Sequence, residues 1–171
     1  MLDAVDSSLS PSPTRSNQEM LDHLRASGFN WAVSLVVVRS IDGPYGLHEF
    51  TVNNVTVHLK QREFIVASIL ASFCMVRNGD YISTVDIAEA IPSLNRFFLR
   101  PDNRTPLLEN ATWQDVHRLV SSIRAAVKSA GGPGHVIQTG PSGGYRLQVP
   151  FWSIHVDVPW LAEELKELFG R

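Results

Sequence analysis

Cysteine is nearly missing from this chain: Cys74 stands alone among 171 residues, so no internal disulfide can staple the fold. Its neighbours Ile69, Leu70, Ala71, Phe73, Met75 and Val76 are apolar, the setting of a packed thiol rather than an activated nucleophile. Long apolar runs are missing too. The longest, Trp31 to Val38, falls far short of the ~20 residues that a membrane-spanning helix needs. The first residues lack the basic-then-apolar order of a secretion signal. A cytoplasmic protein with no membrane partner is the expectation.

An excess of one charge is also lacking. Fifteen Lys and Arg stand against 17 Asp and Glu, a formal net charge of -2. There is thus no general pull toward nucleic acid, and any DNA affinity must come from a local patch. The histidines His23, His48, His58, His117, His135 and His155 are scattered without metal-ligand spacing and without cysteine partners, so no metal is expected, nor any other cofactor. The glycines around Pro141 are followed by neither the Lys-Ser/Thr ending of a phosphate-binding loop nor a helix, which makes them a turn. With no nucleophile elbow or Glu-paired histidine motif either, an enzyme is the least favoured class.

What is present describes one cored domain with appendages. Hydrophobic residues make up 44% and charged ones 19%, near the globular average. Residues 1–16 are rich in Ser and Pro and poor in apolar residues, so a disordered tail is expected there. Residues 17–150 form the domain. Asn17 can cap a short helix carrying Met20, Leu21 and Leu24 and closed by Gly28. Trp31 to Val38 reads as a strand ending near Asp42-Gly43-Pro44, and Phe50 to Val57 as two short strands joined by a tight turn at Asn53-Asn54, giving an antiparallel N-terminal sheet. Leu59 to Val76 predicts a mostly buried helix ended by Asn78-Gly79-Asp80.

Ser83 can accept the N–H of Asp86 and open a helix to Ile91, with Val85, Ile87, Ala88 and Ile91 as its apolar face and Pro92 as its stop. Residues 92–111 then read as a long polar and proline-rich connection. Within it, Phe97 and Phe98 either plug the core or offer a partner contact, and aromatics of this size favour the plug. Thr112 and Asp115 repeat the capping logic and open a helix over residues 113–130 that reaches Gly131-Gly132. Val136–Thr139 and Tyr145–Val149 flank Gly140 to Gly144 as a closing hairpin. After Pro150, residues 151–171 form an amphipathic stretch in which Trp160, Leu161, Leu165, Leu168 and Phe169 share a side. That stripe packs on its own domain or serves a partner, a second copy included, and self-packing is the simpler expectation.

The helix after Thr112 carries most of the meaning. At about 100° per residue, Val116, Val120, Ile123 and Val127 fall on one stripe. The opposite face then holds Arg118, Ser121, Ser122, Ala125 and Lys128, with His117 and Arg124 on its flanks. Cations suit phosphates there, and short polar groups suit base edges.

Leu59-Lys60-Gln61-Arg62-Glu63-Phe64 resembles the start of the first core helix in OmpR/PhoB effector domains, with Lys60 in the place of a threonine cap. The stretch from Asp115 to Arg124 is similar to that family's recognition helix at Val116, Val120, Ile123 and Arg124. Ile137-Gln138-Thr139 and Gly144-Tyr145-Arg146-Leu147 resemble its closing wing, with Pro141 where the family usually bears an arginine. The likeness covers about residues 30–149. It implies an α+β winged helix with an N-terminal antiparallel sheet, a three-helix core and a C-terminal hairpin wing.

The function it implies is that of a sequence-specific transcription regulator of bacterial type, which inserts helix 113–130 into the major groove of double-stranded DNA. The contact set is then His117, Arg118, Ser121, Ser122, Arg124, Ala125 and Lys128 from the helix, with Thr139, Ser142 and Arg146 from the wing. No receiver domain precedes the effector in these residues. The alternative is a winged helix that binds another regulator or RNA polymerase, with Phe97, Phe98, Trp160, Leu161, Leu165 and Leu168 as partner-facing residues. A homodimer would suit either reading, because paired half-sites are read by two-fold symmetric proteins.

Overall fold

The computed structural model describes Glu19, Asp22, residues 33–98 and residues 110–170, with Phe98 described by its backbone alone. The chain divides into two compact units, residues 1–30 and residues 31–171. In the first, Glu19 and Asp22 are helical and exposed. The expected tail over residues 1–16 and most of the helix from Asn17 to Gly28 lie outside the described residues.

The second unit is α+β, its described residues forming a mixed four-stranded sheet, a separate two-stranded ribbon and four helices. Its first strand, β1, runs Val36–Ile41, so the expected span from Trp31 to Val38 is corrected at both ends. The cause is Asn53. Its Oδ1 accepts the N–H of Ser34 at 2.8 Å and of Leu35 at 3.3 Å, and those groups are therefore bound to a side chain instead of a neighbouring strand. Asn53 sits at φ 56° in the turn between β2, Leu47–Val52, and β3, Val55–His58. Both strands are antiparallel to their neighbours, and alternation buries Val36, Val38, His48, Phe50, Val52 and Val57 on one face.

Helix α1, Gln61–Val76, is buried almost without interruption from Glu63 to Cys74 and forms the centre of the unit. Lys60 has no acceptor with which to cap it. Instead Glu63 reaches back one turn, and its carboxylate accepts the Lys60 N–H at 3.0 Å. Helix α2, Thr84–Asn95, opens on Ser83, whose hydroxyl accepts the Asp86 N–H at 3.0 Å as expected. Pro92 does not stop it. The helix carries this exposed proline internally and continues to Asn95, then into a 3-10 turn at Arg96–Phe98. A proline removes a single backbone bond, and the turn after it buries Leu94 completely. Val85, expected on the apolar face, is 56% exposed, because it lies about 160° from Ile87 around the helix.

Helix α3, Trp113–Ser129, follows the Thr112 cap, and Gly131 closes it at φ 88°. Strands β4, Ile137–Thr139, and β5, Tyr145–Leu147, form the expected hairpin. Gly144 is required there, since a Cβ would stand 2.7 Å from the Ile82 carbonyl oxygen. Strand β6, Ile154–Asp157, pairs parallel with β1 and completes the order β3-β2-β1-β6, so the sheet is mixed instead of antiparallel throughout.

Trp160 and Leu161 belong to a 3-10 turn, and the last helix, α4, spans Ala162–Phe169. Its stripe packs within the unit: Leu161, Leu165 and Phe169 are buried, Leu168 and Trp160 half-buried, and Phe169 meets Phe73 edge-on at 5.7 Å. Phe97 packs into the same core, 6.2 Å from Trp160, and the side chain of Phe98 is outside the described set. One apolar cluster thus joins sheet, helices and ribbon. Among the described residues no helix is long and apolar enough to cross a membrane.

Candidate nucleic-acid interface

The site is built on α3. Thr112 accepts the Asp115 N–H on its hydroxyl at 3.3 Å, and the Asp115 carboxylate accepts the Thr112 N–H at 2.9 Å. This reciprocal cap ties down two N–H groups that the first turn would leave open. The Thr112 N–H, then its hydroxyl, then Arg118 hold the Asp115 carboxyl below the usual carboxylate range. Val116, Val120, Ile123 and Val127 are fully buried. The stripe fixes the rotation of the helix, so Arg118, Ser121, Ala125 and Lys128 are exposed together on the far side.

The expected contact residues separate into two groups. Arg118 is exposed over 78% of its side chain and, among the described residues, pairs with Asp115 in the preceding turn; a pair with so exposed a cation contributes ~0.5 kcal/mol. Ser121, Ala125, Lys128 and Ser142 are exposed. Ser122 is exposed at the edge of the face, and its hydroxyl donates to the Glu63 carboxylate of α1.

The second group holds the structure together. Arg124 donates from Nε and Nη2 to the Ile137 carbonyl at 3.0 and 2.7 Å, and from Nη2 to the Thr139 hydroxyl at 2.9 Å. Its guanidinium also stands 5.5 Å from the centre of the Tyr145 ring. His117 hydrogen-bonds the Tyr145 hydroxyl through Nδ1 and lies between that ring and Trp113, edge-on to both. Burial raises the Tyr145 pKa and the Arg124 cation partly offsets the rise. These contacts lock the hairpin to α3.

Arg146 does not face outward. It is 7% exposed, donates from Nε to Gln138 at 2.9 Å and lies 4.3 Å from the centre of the Tyr81 ring. The reason is Tyr81: the bridge between Ile82 and Tyr145 holds this segment beside β5, and the Tyr81 ring lies over the Arg146 guanidinium on the face that simple alternation turns to solvent. Thr139 is exposed, yet its hydroxyl is engaged by Arg124. The partner-facing residues expected at Phe97, Trp160, Leu161, Leu165 and Leu168 point into the unit's own core.

Three residues at this face escaped the sequence reading. Trp113 is 54% exposed at the start of α3. Lys60 and Arg62 are exposed at the start of α1, and Arg62 lines one shallow depression of about 290 Å³ with Asp115, Arg118, Leu119 and Ser122. The cationic pair Lys60 and Arg62 was visible as a local signal. Its position beside α3 depends on helix packing. On the hairpin flank a wider open groove is lined by Arg124, Ala125, Lys128, His135 and Thr139 among others.

Among the described residues no three His, Cys, Asp or Glu side chains are placed to hold a metal. No family model, curated protein or solved structure matches the chain.

Proposed function

We propose that residues 31–171 are a winged helix of the OmpR/PhoB type and that the protein is a DNA-binding transcription regulator, with α3 lying in a major groove and β4–β5 as the wing. The order of sheet, α1, α2, α3 and hairpin supports this reading. One observation carries it: α3 buries its valine stripe and leaves Arg118, Ser121, Ala125 and Lys128 uncovered in a row at the surface. A B-form major groove is about 12 Å wide and admits one such helix. Small side chains at Ser121 and Ala125 let its backbone approach the base edges, while Arg118 and Lys128 reach phosphates. Arg124 has a different task, that of holding the wing at a fixed angle to the helix.

Duplex binding followed by fluorescence anisotropy tests the reading. The expected result is saturable binding at low salt that weakens as salt rises. Absence of binding at low salt would remove it. The formal charge of -2 and the uncharged hairpin tip at Pro141-Ser142 favour a second reading, an interaction module that binds another regulator or RNA polymerase. It predicts partner capture that survives Arg118→Ala and Lys128→Ala.

A further inference from the structure

We propose that the start of α1 carries a second phosphate-binding site, in which Arg62 and Arg118, flanked by Lys60, grip the DNA backbone on the side of α3 away from the hairpin. The inference rests on the reading of α3 as the groove-entering helix and adds the contact that fixes its other edge.

On the hairpin flank, two of the expected arginines are already engaged: Arg124 on the Ile137 carbonyl and Arg146 beneath Tyr81. That leaves Lys128 as the exposed cation of the expected set there, beside an uncharged tip. A helix held in a groove by one edge alone is free to roll, and phosphate contacts on both strands are what fix its register.

The opposite flank supplies the missing charges. Around α3, Ser122 and Leu119 lie on the side away from Arg124, and Ser122 donates to Glu63. Because Glu63 is in the first turn of α1 and accepts the Lys60 N–H, this bond pins the start of α1 against α3. Arg62, one residue earlier, consequently shares a depression with Arg118, and Lys60 lines the adjoining one with Arg62 and Leu119.

Two carboxylates are nearby, and both are occupied. Glu63 is buried and accepts from Ser122 and from the Lys60 backbone. Asp115 caps α3, accepting from the Thr112 N–H and hydroxyl, and it keeps both donors when Arg118 turns from it to a phosphate. Among the described residues no ion pair holds Arg62 or Lys60. A phosphodiester entering between Arg62 and Arg118 meets two fork-shaped donors, the geometry that suits its paired oxygens.

The test is the salt dependence of duplex binding by wild type, Arg62→Ala, Arg62→Lys and Lys60→Ala. Each lost phosphate contact flattens the log-log slope by about 0.9. Arg62→Ala is expected to show that change and to weaken target and unrelated duplexes by the same factor, since phosphates carry no sequence information. Arg62→Lys keeps the slope, and the circular dichroism of every variant stays that of wild type because the side chains are exposed. Inorganic phosphate at the same ionic strength is not expected to compete, which separates a backbone site from a free-anion site. Wild-type slope and affinity in Arg62→Ala would overturn the proposal while leaving duplex binding in place. A wild-type protein that binds no duplex would overturn both.

Discussion

Replacing Arg124 by alanine separates a strut from a DNA contact. In the structure this side chain makes two hydrogen bonds to the Ile137 carbonyl and one to Thr139. Ile137 is 1% exposed, so its carbonyl loses donors that water cannot fully replace. A buried acceptor left unsatisfied costs about 1–3 kcal/mol, and the half-buried position of Arg124 argues for the middle of that range, ~2 kcal/mol. For a domain of this size, that lowers the melting temperature by about 4–8 °C. Lysine cannot rescue it, having no planar fork with which to bond both acceptors. Arg118→Ala, by contrast, removes an exposed pair and shifts stability by ~0.5 kcal/mol or less. Thermal melts by circular dichroism, with hydrogen exchange at the hairpin amides, read both effects. The opposite pattern would refute the reasoning: an unchanged melt and hairpin in Arg124→Ala, together with a salt slope flattened by about 0.9, would make Arg124 a phosphate contact and leave the hairpin without its strut.

Three further outcomes follow from individual residues. The Cys74 thiol, its pKa pushed up to about 12 by burial, is expected to resist a disulfide reagent at neutral pH until the protein unfolds; rapid labelling of the native protein would contradict its packing. Thr112→Ala removes one half of the α3 cap and is expected to cost ~1 kcal/mol at neutral pH. The folded Asp115 carboxyl is held below its unfolded value, so its contribution is present above the unfolded pKa of about 3.9 and is lost as pH falls through the lower folded value. Urea titrations at neutral and acidic pH should therefore show the wild-type advantage shrinking in acid, and a pH-independent gap would refute this. Pro92→Ala restores an N–H within α2 at an exposed position and is expected to stabilise by about 1–2 kcal/mol after the entropy regained by the unfolded chain is counted; a lower melting temperature would show that Pro92 is needed where it is.

What could be read from the sequence was set by interactions within a few residues. Ser83 and Thr112 announced their helices because a cap acts over three residues, and Asn53 marked its turn because the residue itself takes positive φ. The stripe of α3 was legible because helical periodicity alone defines it. The parallel pairing of β6 with β1 joins distant segments, and four residues alternating Ile154, His155, Val156 and Asp157 give too short a pattern to reveal it. Pro92 misled because the burial of Leu94 outweighs one missing hydrogen bond. Arginines carry no mark of whether they will face solvent or a carbonyl, so Arg124 and Arg146 resembled Arg118 until the hairpin was in place. Arg62 was overlooked for the converse reason: the fold brings it to α3.

The most direct test places a charge at the centre of the outward face. Ala125 is exposed in the middle of α3, and glutamate is a good helix former, so Ala125→Glu preserves the fold while setting a negative group against the DNA. Duplex affinity of wild type and Ala125→Glu, measured across a salt series, is expected to show a wild-type slope of roughly -3.6 for about four phosphates and a loss of most binding in the variant. Equal affinity for the two proteins, or no duplex binding by wild type at low salt, would contradict the assignment of α3 to a DNA groove.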